Sequence, residues 1–172
     1  MILSDGSSLK IRPAVATDVG QILKFIFELA EFEKLSHQVV ATEAQLTKNL
    51  FSEKKYAEVL LAERDGAPVA FALFFHNFST FLGRPGIYLE DLYVSPKYRS
   101  LGIGQRLLGR LATLAEERDC GRLEWAVLDW NKKAISFYER LGAKPLSDWI
   151  IYRIIGEALT RLASWADAPT KK

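Results

Sequence analysis

The sequence predicts a single α/β (or α+β) domain spanning residues 1–172, in which helices flank a β-sheet. Segments with the alternation or continuous apolar runs of strands are interleaved with segments whose apolar residues recur at helical spacing. A chain of 172 residues is long enough to bury one core and leaves little for a second module. No linker, internal repeat or low-complexity segment interrupts this pattern.

The chain begins with a predicted strand followed by two helices. The segment "LKIRPA" alternates as a strand does, and a helix follows, capped by Thr17 or Asp18 and running to about Leu35. The stretch Thr42-Glu43-Ala44-Gln45 has the spacing of a capping box, in which the two end side chains satisfy each other's backbone amides. A second helix is therefore expected to begin there.

An antiparallel hairpin is predicted next. Asp65-Gly66 separates two apolar runs, and this pair tolerates the positive φ values that a tight hairpin turn requires. The second strand is apolar almost continuously over residues 69–75, so both of its faces should be covered. After a loop at "STFLGRPG", a further strand is expected from Ile87 to Val94.

The C-terminal half alternates helices and strands. "RLEWAVL" is predicted as a strand, Asn131 as the cap of a helix that ends at Gly142, "WIIYRII" as the last strand and "EALTRLASWA" as the last helix. Before them, an apolar stripe at helical spacing predicts a long amphipathic helix with its core face formed by Ile103, Leu107, Leu108, Leu111, Leu114 and Ala115.

Composition disfavours several classes of protein. The formal net charge of +2, with both signs scattered, gives no basic stripe for nucleic acid. No segment resembles a signal peptide or a membrane span, so we expect a cytoplasmic protein without a membrane partner. Cys120 is the single cysteine, and His37 and His76 lack metal-ligand spacing, so no metal is expected.

The stretch "YRSLGIG" is the clearest functional motif. It places Arg99-x-x-Gly102-x-Gly104 between a strand and a helix, where backbone amides at a helix N-terminus favour an anion such as a pyrophosphate. The motif is neither the GxGxxG of dinucleotide folds nor a P-loop. On spacing alone, an ordinary strand-to-helix turn explains it equally well.

Four blocks in order give the chain a family resemblance: "LAEFEKLSHQV", "IYLEDLYVSPKYRSLGIG", "AVLDWNKKAISFYERLGA" and "WIIYR". Together they resemble the GNAT acetyltransferases, and within them the diamine branch that includes spermidine/spermine and thialysine N-acetyltransferases. The resemblance implies a mixed central sheet of about six to seven strands, acetyl-CoA as co-substrate, a small-molecule amine as acceptor and a homodimer.

The resemblance also implies where acetyl-CoA binds. Backbone amides of the strand end would contact the pantetheine and stabilise the oxyanion, and the glycine turn would hold the pyrophosphate. Ser100 departs from the glycine that is common in the family at that position. The implied cofactor-binding residues are Leu92, Tyr93, Val94, Arg99, Ser100, Leu101, Gly102, Ile103, Gly104, Gln105 and Asn131.

Two residues are the expected catalytic groups. An alkylamine with a pKa of about 10.4 must lose a proton before it attacks. Glu90, in an otherwise apolar strand, is the expected base because partial burial would suit it to accept that proton, whereas Asp91 should point to the opposite face. Tyr138 matches the family's general acid. An edge-strand carboxylate and a packed core tyrosine remain the alternatives.

The acceptor side is less defined by the sequence. The resemblance implies a substrate contact at Glu33, and Phe32 could line the acceptor pocket. Glu28, Glu31 or Asp148 could add negative charge for a second amine, although a solvated helix face explains Glu28 and Glu31 better. "AKPLSDWII" is shorter than its counterpart in the polyamine-acetylating members. No Cys or Ser has a recognisable nucleophile setting, so direct transfer in a ternary complex is expected. The alternatives are a catalytically silent acyl-CoA sensor, a protein-lysine acetyltransferase and a structural dimerisation protein.

Overall fold

The computed structural model describes residues 6–166. The chain divides into two compact units, Met1–Ala126 and Val127–Lys172. The first holds a mixed sheet whose strands are antiparallel except for one parallel pair, β4 with β5. In spatial as well as chain order the strands are β1 (Leu9–Pro13), β2 (Glu58–Arg64), β3 (Ala67–Ser79), β4 (Arg84–Val94) and β5 (Leu123–Trp125). The predicted α+β class is confirmed.

Five α-helices occur among the described residues. The first unit contains α1 (Val19–Phe32), α2 (Glu43–Phe51) and α3 (Ile103–Glu117), and the second contains α4 (Lys132–Arg140) and α5 (Gly156–Ala163). Short 3₁₀ helices lie at Ala16–Asp18, Ser36–Gln38 and Pro96–Tyr98. Within residues 6–166, none of the helices combines the length and the apolar character needed to cross a bilayer.

The beginning and end of α1 differ from the prediction. Asp18 does not cap α1 with its side chain; its carboxylate accepts hydrogen bonds from Arg12 at 2.7 and 2.9 Å and from the Val15 amide at 2.7 Å. The carboxylate therefore stabilises the preceding 3₁₀ turn instead. The helix ends at Phe32 rather than near Leu35 because the chain turns into a left-handed conformation two residues later.

The predicted capping box and hairpin are both confirmed. The Gln45 amide donates to Thr42 Oγ1 at 3.3 Å, and the Thr42 amide donates to Gln45 Oε1 at 2.9 Å. Asp65 and Gly66 have φ values of 50° and 84°, as a tight turn between β2 and β3 requires. Local side-chain chemistry thus determines both features.

The core covers both faces of the sheet. On one face Phe25 of α1 stacks on Phe71 of β3 with ring centroids 5.6 Å apart, within a cluster that also includes residues of α2 and β2. The alternate β3 residues Ala70 and Ala72 are fully buried on the other face, which α3 covers. All six residues predicted for the apolar stripe of α3 are buried. The prediction that β3 is covered on both sides is therefore confirmed.

Strand lengths and strand number differ from the prediction. The ladder of β3 with β4 extends to the pair Ser79–Arg84, so the predicted loop at 79–86 shrinks to a tight turn. β5 is confined to Leu123–Trp125 because its pairing with β4 ends there. The segment 149–155 forms no strand, and its apolar side chains are largely exposed. The described chain therefore has five strands rather than six to seven.

The missing last strand has a physical reason. A strand forms only where a neighbouring strand pairs with its backbone groups, and the described part of the second unit contains no strand. The predicted limits of α4 are confirmed: Asn131 Oδ1 accepts from the Ala134 amide at 3.3 Å, and Gly142 ends α4 with a φ of 90°. The last helix, predicted over 157–166, is shorter and spans Gly156–Ala163.

Candidate active site

A β-bulge interrupts β4 at Glu90. Leu73 of β3 lies opposite Asp91, whereas the next residue, Phe74, lies opposite Leu89, so Glu90 is an extra residue without a partner in the ladder. Such a bulge breaks the simple alternation of side chains along a strand and re-aims them. Simple alternation, which predicted that Glu90 and Asp91 point to opposite faces, therefore does not apply here.

The bulge gathers three carboxyl groups from β4 and the end of α1. Glu90 is exposed, which corrects the expectation of partial burial, and its neighbour Asp91 is the partly buried carboxyl. Burial, with added repulsion from Glu90 and Glu33, raises the pKa of Asp91 to about 6. Burial also raises the pKa of Glu33 above its usual value. A carboxyl with a pKa near 6 is suited to accept a proton at neutral pH.

Beyond the bulge, β4 separates from β5. The parallel pairing covers only Ile87 to Leu89, while β4 continues to Val94 alongside β3. The edge of β4 from Glu90 to Val94 that is turned away from β3 has no neighbouring strand within residues 6–126. The predicted residues Leu92, Tyr93 and Val94 lie on this stretch, so backbone groups there are placed to contact a ligand.

The end of β4 is tied to the turn that follows it. Arg99 Nε donates to the Val94 carbonyl at 2.9 Å, and the guanidinium lies 4.8 Å from the ring centre of Phe32 and 5.7 Å from that of Tyr93. The Ser95 amide donates to the Val69 carbonyl at 2.9 Å. These contacts fix the turn against β3, β4 and α1, and the Arg99 side chain serves to position it.

The turn then enters α3 through two left-handed residues. Ser100 has a φ of 64° and Gly102, at the N-cap position, a φ of 76°. Leu101 is half-buried and Ile103 is buried in the core, so these side chains anchor the turn while its backbone faces outward. A left-handed serine carries strain that glycine would avoid.

The N-terminus of α3 presents its backbone to open space. Apart from the adjacent residues and the backbone of the helix itself, no protein atom lies within 4 Å of the point where a Cβ on Gly102 would be, and at Gly104 the nearest atom is a Val94 methyl at 3.8 Å. Protein packing therefore does not fill the space over these glycines. The first turn of α3, which includes Gln105, has backbone amides without partners inside the helix, and the helix dipole adds positive charge there. The N-terminus of α3 is therefore suited to bind a phosphate or pyrophosphate.

An open cleft of about 790 Å³ lies beside the turn. Its walls come from α1, from the start of β3 and from residues 93–99. Tyr93 lines it, and burial together with the hydrogen bond that its hydroxyl donates to Glu28 raises the pKa of Tyr93 to about 12. Phe32 also lines the cleft, and its ring contacts the Arg99 guanidinium. The volume suits a small organic ligand.

The remaining predicted residues belong to the second unit. Asn131 caps α4, and Tyr138 is half-buried on that helix with its ring 5.4 Å from that of Phe137. Asp148 is exposed and accepts a long hydrogen bond from Ser147. Their predicted roles stay predictions.

Several residues that the sequence predicted for the site lie together in the first unit. The structure brings Phe32, Glu33 and Glu90 into one region with the end of β4 and the turn. It adds Asp91, which was expected to point to the opposite face, and it places Glu28, a possible charge for a second amine, in the cleft. Two adjacent carboxylates in an apolar strand were the available signal for Asp91, but a bulge cannot be read from residue alternation.

Comparison with known proteins identifies the family. The sequence model of the protein family "Acetyltransferase (GNAT) family" matches residues 23–143 of this chain. Mouse thialysine N-epsilon-acetyltransferase is 42% identical over 168 residues, covering 91% of this chain and 98% of that protein. L-ornithine N5-acetyltransferase of Arabidopsis thaliana is 33% identical, covering 87% and 86%. A solved integron cassette protein of V. cholerae is 28% identical with a TM-score of 0.77, covering 91% and 98%.

Proposed function

Because this chain belongs to the GNAT acetyltransferase family, we propose that it transfers the acetyl group of acetyl-CoA to the terminal amine of an α-amino acid such as thialysine or ornithine. The chain is an N-acetyltransferase, and its family implies acetyl-CoA as the co-substrate. The names of its relatives suggest the acceptor: thialysine and L-ornithine are both amino acids with a second amine at the end of the side chain.

The turn between β4 and α3 is the observation that supports the proposal most. Left-handed Gly102 leads the backbone into a helix N-terminus that faces open space, as a pyrophosphate requires. We assign the pyrophosphate to the backbone of residues 99–105 and the pantetheine to the open edge of β4 at residues 92–94. When bound, acetyl-CoA supplies a thioester that an unprotonated amine can attack.

The carboxyl groups at the bulge deprotonate the acceptor in this account. Glu90 is exposed and can contact the amine, while Asp91, with a pKa of about 6, is mostly charged at pH 7 and can take up a proton. Glu33 adds a third carboxyl that attracts an ammonium ion. Direct transfer requires no acylated side chain, so these groups need only orient the amine and accept its proton.

Two residues of the second unit complete the proposal. Tyr138 is the acid that protonates the departing thiolate, and Asn131 is a cofactor contact that also caps α4. Asp148 remains a candidate acceptor contact. The family match includes residues of both units, which supports one catalytic domain over the whole chain. If Tyr138 is the acid, Tyr138→Phe should lower kcat while leaving acetyl-CoA affinity unchanged.

A homodimer is the proposed assembly. Phe78 and the turn residues Phe81 and Leu82 are exposed at the end of the β3–β4 hairpin, with Phe81 93% exposed. Apolar side chains clustered on a surface favour a protein interface. Sedimentation at micromolar concentration should give twice the chain mass.

The acceptor is tested by steady-state thiol release from acetyl-CoA with thialysine, ornithine, lysine, spermidine and putrescine. The proposal predicts the highest kcat/KM for an amino acid and, by mass spectrometry, acetylation of its side-chain amine. Turnover of spermidine well above that of every amino acid would contradict the proposed acceptor. A Tyr138→Phe variant whose kcat equals that of the wild type would instead contradict the assignment of Tyr138 as the acid.

A further inference from the structure

The cleft beside Tyr93 has an unusual charge composition for a site that would bind only cations. Lys24, Lys97 and Arg99 line it together with Glu28 and Glu31. A polyamine bears only positive charges and would meet three cations here. An α-amino-acid group bears one carboxylate and one ammonium, and it matches a cleft with both signs.

The charges are not distributed at random within the cleft. Arg99 is held by its hydrogen bond to the Val94 carbonyl and by the rings of Phe32 and Tyr93, so the guanidinium is fixed before a ligand arrives. Lys97 is two residues away in the same turn and lines the same cleft. A carboxylate would find both cations on one wall.

The carboxylate of Glu28 lies on the α1 wall. It accepts the hydrogen bond of the Tyr93 hydroxyl and lies 3.9 Å from Lys24 Nζ. The side chain is half-buried, which strengthens its interaction with an ammonium group compared with a fully exposed one. Tyr93 thereby fixes Glu28, as the ring contacts fix Arg99.

The spacing between this cleft and the bulge fits an amino acid with a long side chain. Asp91 and Tyr93 are two residues apart on β4, and the regular ladder there puts both on one face of the strand. Two residues of a strand span roughly 6.8 Å. The five bonds between the α-carbon and the terminal nitrogen of a lysine-type side chain span roughly 6 Å when extended.

We propose that the cleft is the subsite for the α-amino-acid end of the acceptor, with Lys97 and Arg99 binding the α-carboxylate and Glu28 binding the α-ammonium. The terminal amine of the acceptor then reaches the carboxyl groups at the bulge. This inference rests on the proposed function, and it predicts that an amino acid is acetylated in preference to a polyamine.

The test pairs acceptors that differ by one charged group. Thialysine is compared with the diamine that lacks its carboxylate, and separately with the analogue that lacks its α-amine. In Lys97→Gln, the kcat/KM ratio of thialysine to the diamine should fall roughly fivefold or more, chiefly through KM. Glu28→Gln keeps a side-chain oxygen that can accept the hydrogen bond of the Tyr93 hydroxyl. In this variant the kcat/KM ratio of thialysine to the analogue without the α-amine should fall by a similar factor.

Lys48→Gln is the matched control, because this exposed lysine lies on α2 outside the cleft. It should leave both ratios as in the wild type. The inference is overturned if Lys97→Gln and Glu28→Gln also leave both ratios unchanged, although the wild type acetylates thialysine. Absence of turnover by the wild type with all three acceptors would contradict the proposed acceptor class itself, and the subsite with it.

Discussion

Asp91 shows how one inserted residue changes the chemistry of its neighbour. At the bulge, Asp91 lies partly buried close to Glu90 and Glu33, and its pKa rises to about 6. A charged Asp91 is therefore less stable in the folded protein than in water. Proteins commonly keep a catalytic group in an environment that suits its reaction but disfavours its charge, and they are less stable as a result.

Asp91→Asn should make the protein more stable at neutral pH. Because the pKa of Asp91 is raised on folding, the folded state binds the proton more tightly, and wild-type stability falls as pH rises from about 4 to about 6. The asparagine amide is neutral at every pH, so the variant does not lose stability in this way. Its free energy of unfolding at pH 7.5 should exceed that of the wild type by up to about 3 kcal/mol. Urea unfolding at pH 4, 5, 6 and 7.5 measures the effect.

Asp129→Asn is a suitable control, because Asp129 is exposed. Its free energy of unfolding should stay within about 0.5 kcal/mol of the wild type at each pH. If Asp91→Asn keeps the wild-type fall in stability between pH 4 and 6, another group causes that fall and the buried-carboxyl interpretation is wrong.

Among the elements, the turn before α3 has a left-handed backbone and open space around it. Gly102 adopts a φ of 76°, and Gly109, on the same helix, has an ordinary helical backbone; no atom lies within 4 Å of a Cβ placed on either. The two positions thus differ in conformation and not in available space. They form a matched pair for testing what the turn requires.

Alanine at these two glycines should have opposite effects on stability. Gly102→Ala forces a side chain into the left-handed region and should lower the free energy of unfolding by roughly 1 kcal/mol. Gly109→Ala should raise it by roughly 0.5–1 kcal/mol, because alanine favours a helix interior. Urea unfolding followed by circular dichroism measures both, and equal effects would exclude a role for the left-handed turn.

Sequence reasoning succeeded for elements whose signals are local. The apolar stripe of α3, the capping box at Thr42 and the Asp65-Gly66 turn are each specified by residues within a few positions of one another, and all three are confirmed. It failed for the ends of strands and for the segment 149–155, because a strand is defined by a partner distant in sequence. The bulge at Glu90 was missed for the same reason.

For the candidate site, family motifs predicted the turn and Glu90 of β4 but not Asp91, and the charges of the cleft could not be assembled from sequence. Glu28 and Arg99 are 71 positions apart, and only the packing of α1 against β4 brings both to one cavity. Their helical and loop positions alone indicate solvent-exposed residues.

In the proposed function, the first unit of this N-acetyltransferase holds the turn that binds acetyl-CoA, the carboxyl groups and the acceptor cleft. These parts depend on one another, since the amine can be acetylated only where the thioester is held. The turn is therefore the part on which the rest of the account depends.

Calorimetric titration of acetyl-CoA into the wild type, Gly102→Ala and Gly109→Ala tests this dependence most directly. The account predicts saturable binding to the wild type and to Gly109→Ala with equal affinity, and binding to Gly102→Ala that is weaker by roughly tenfold or more, about 1.4 kcal/mol. Unchanged affinity in Gly102→Ala, or no binding to the wild type, would contradict the assignment of the turn to acetyl-CoA.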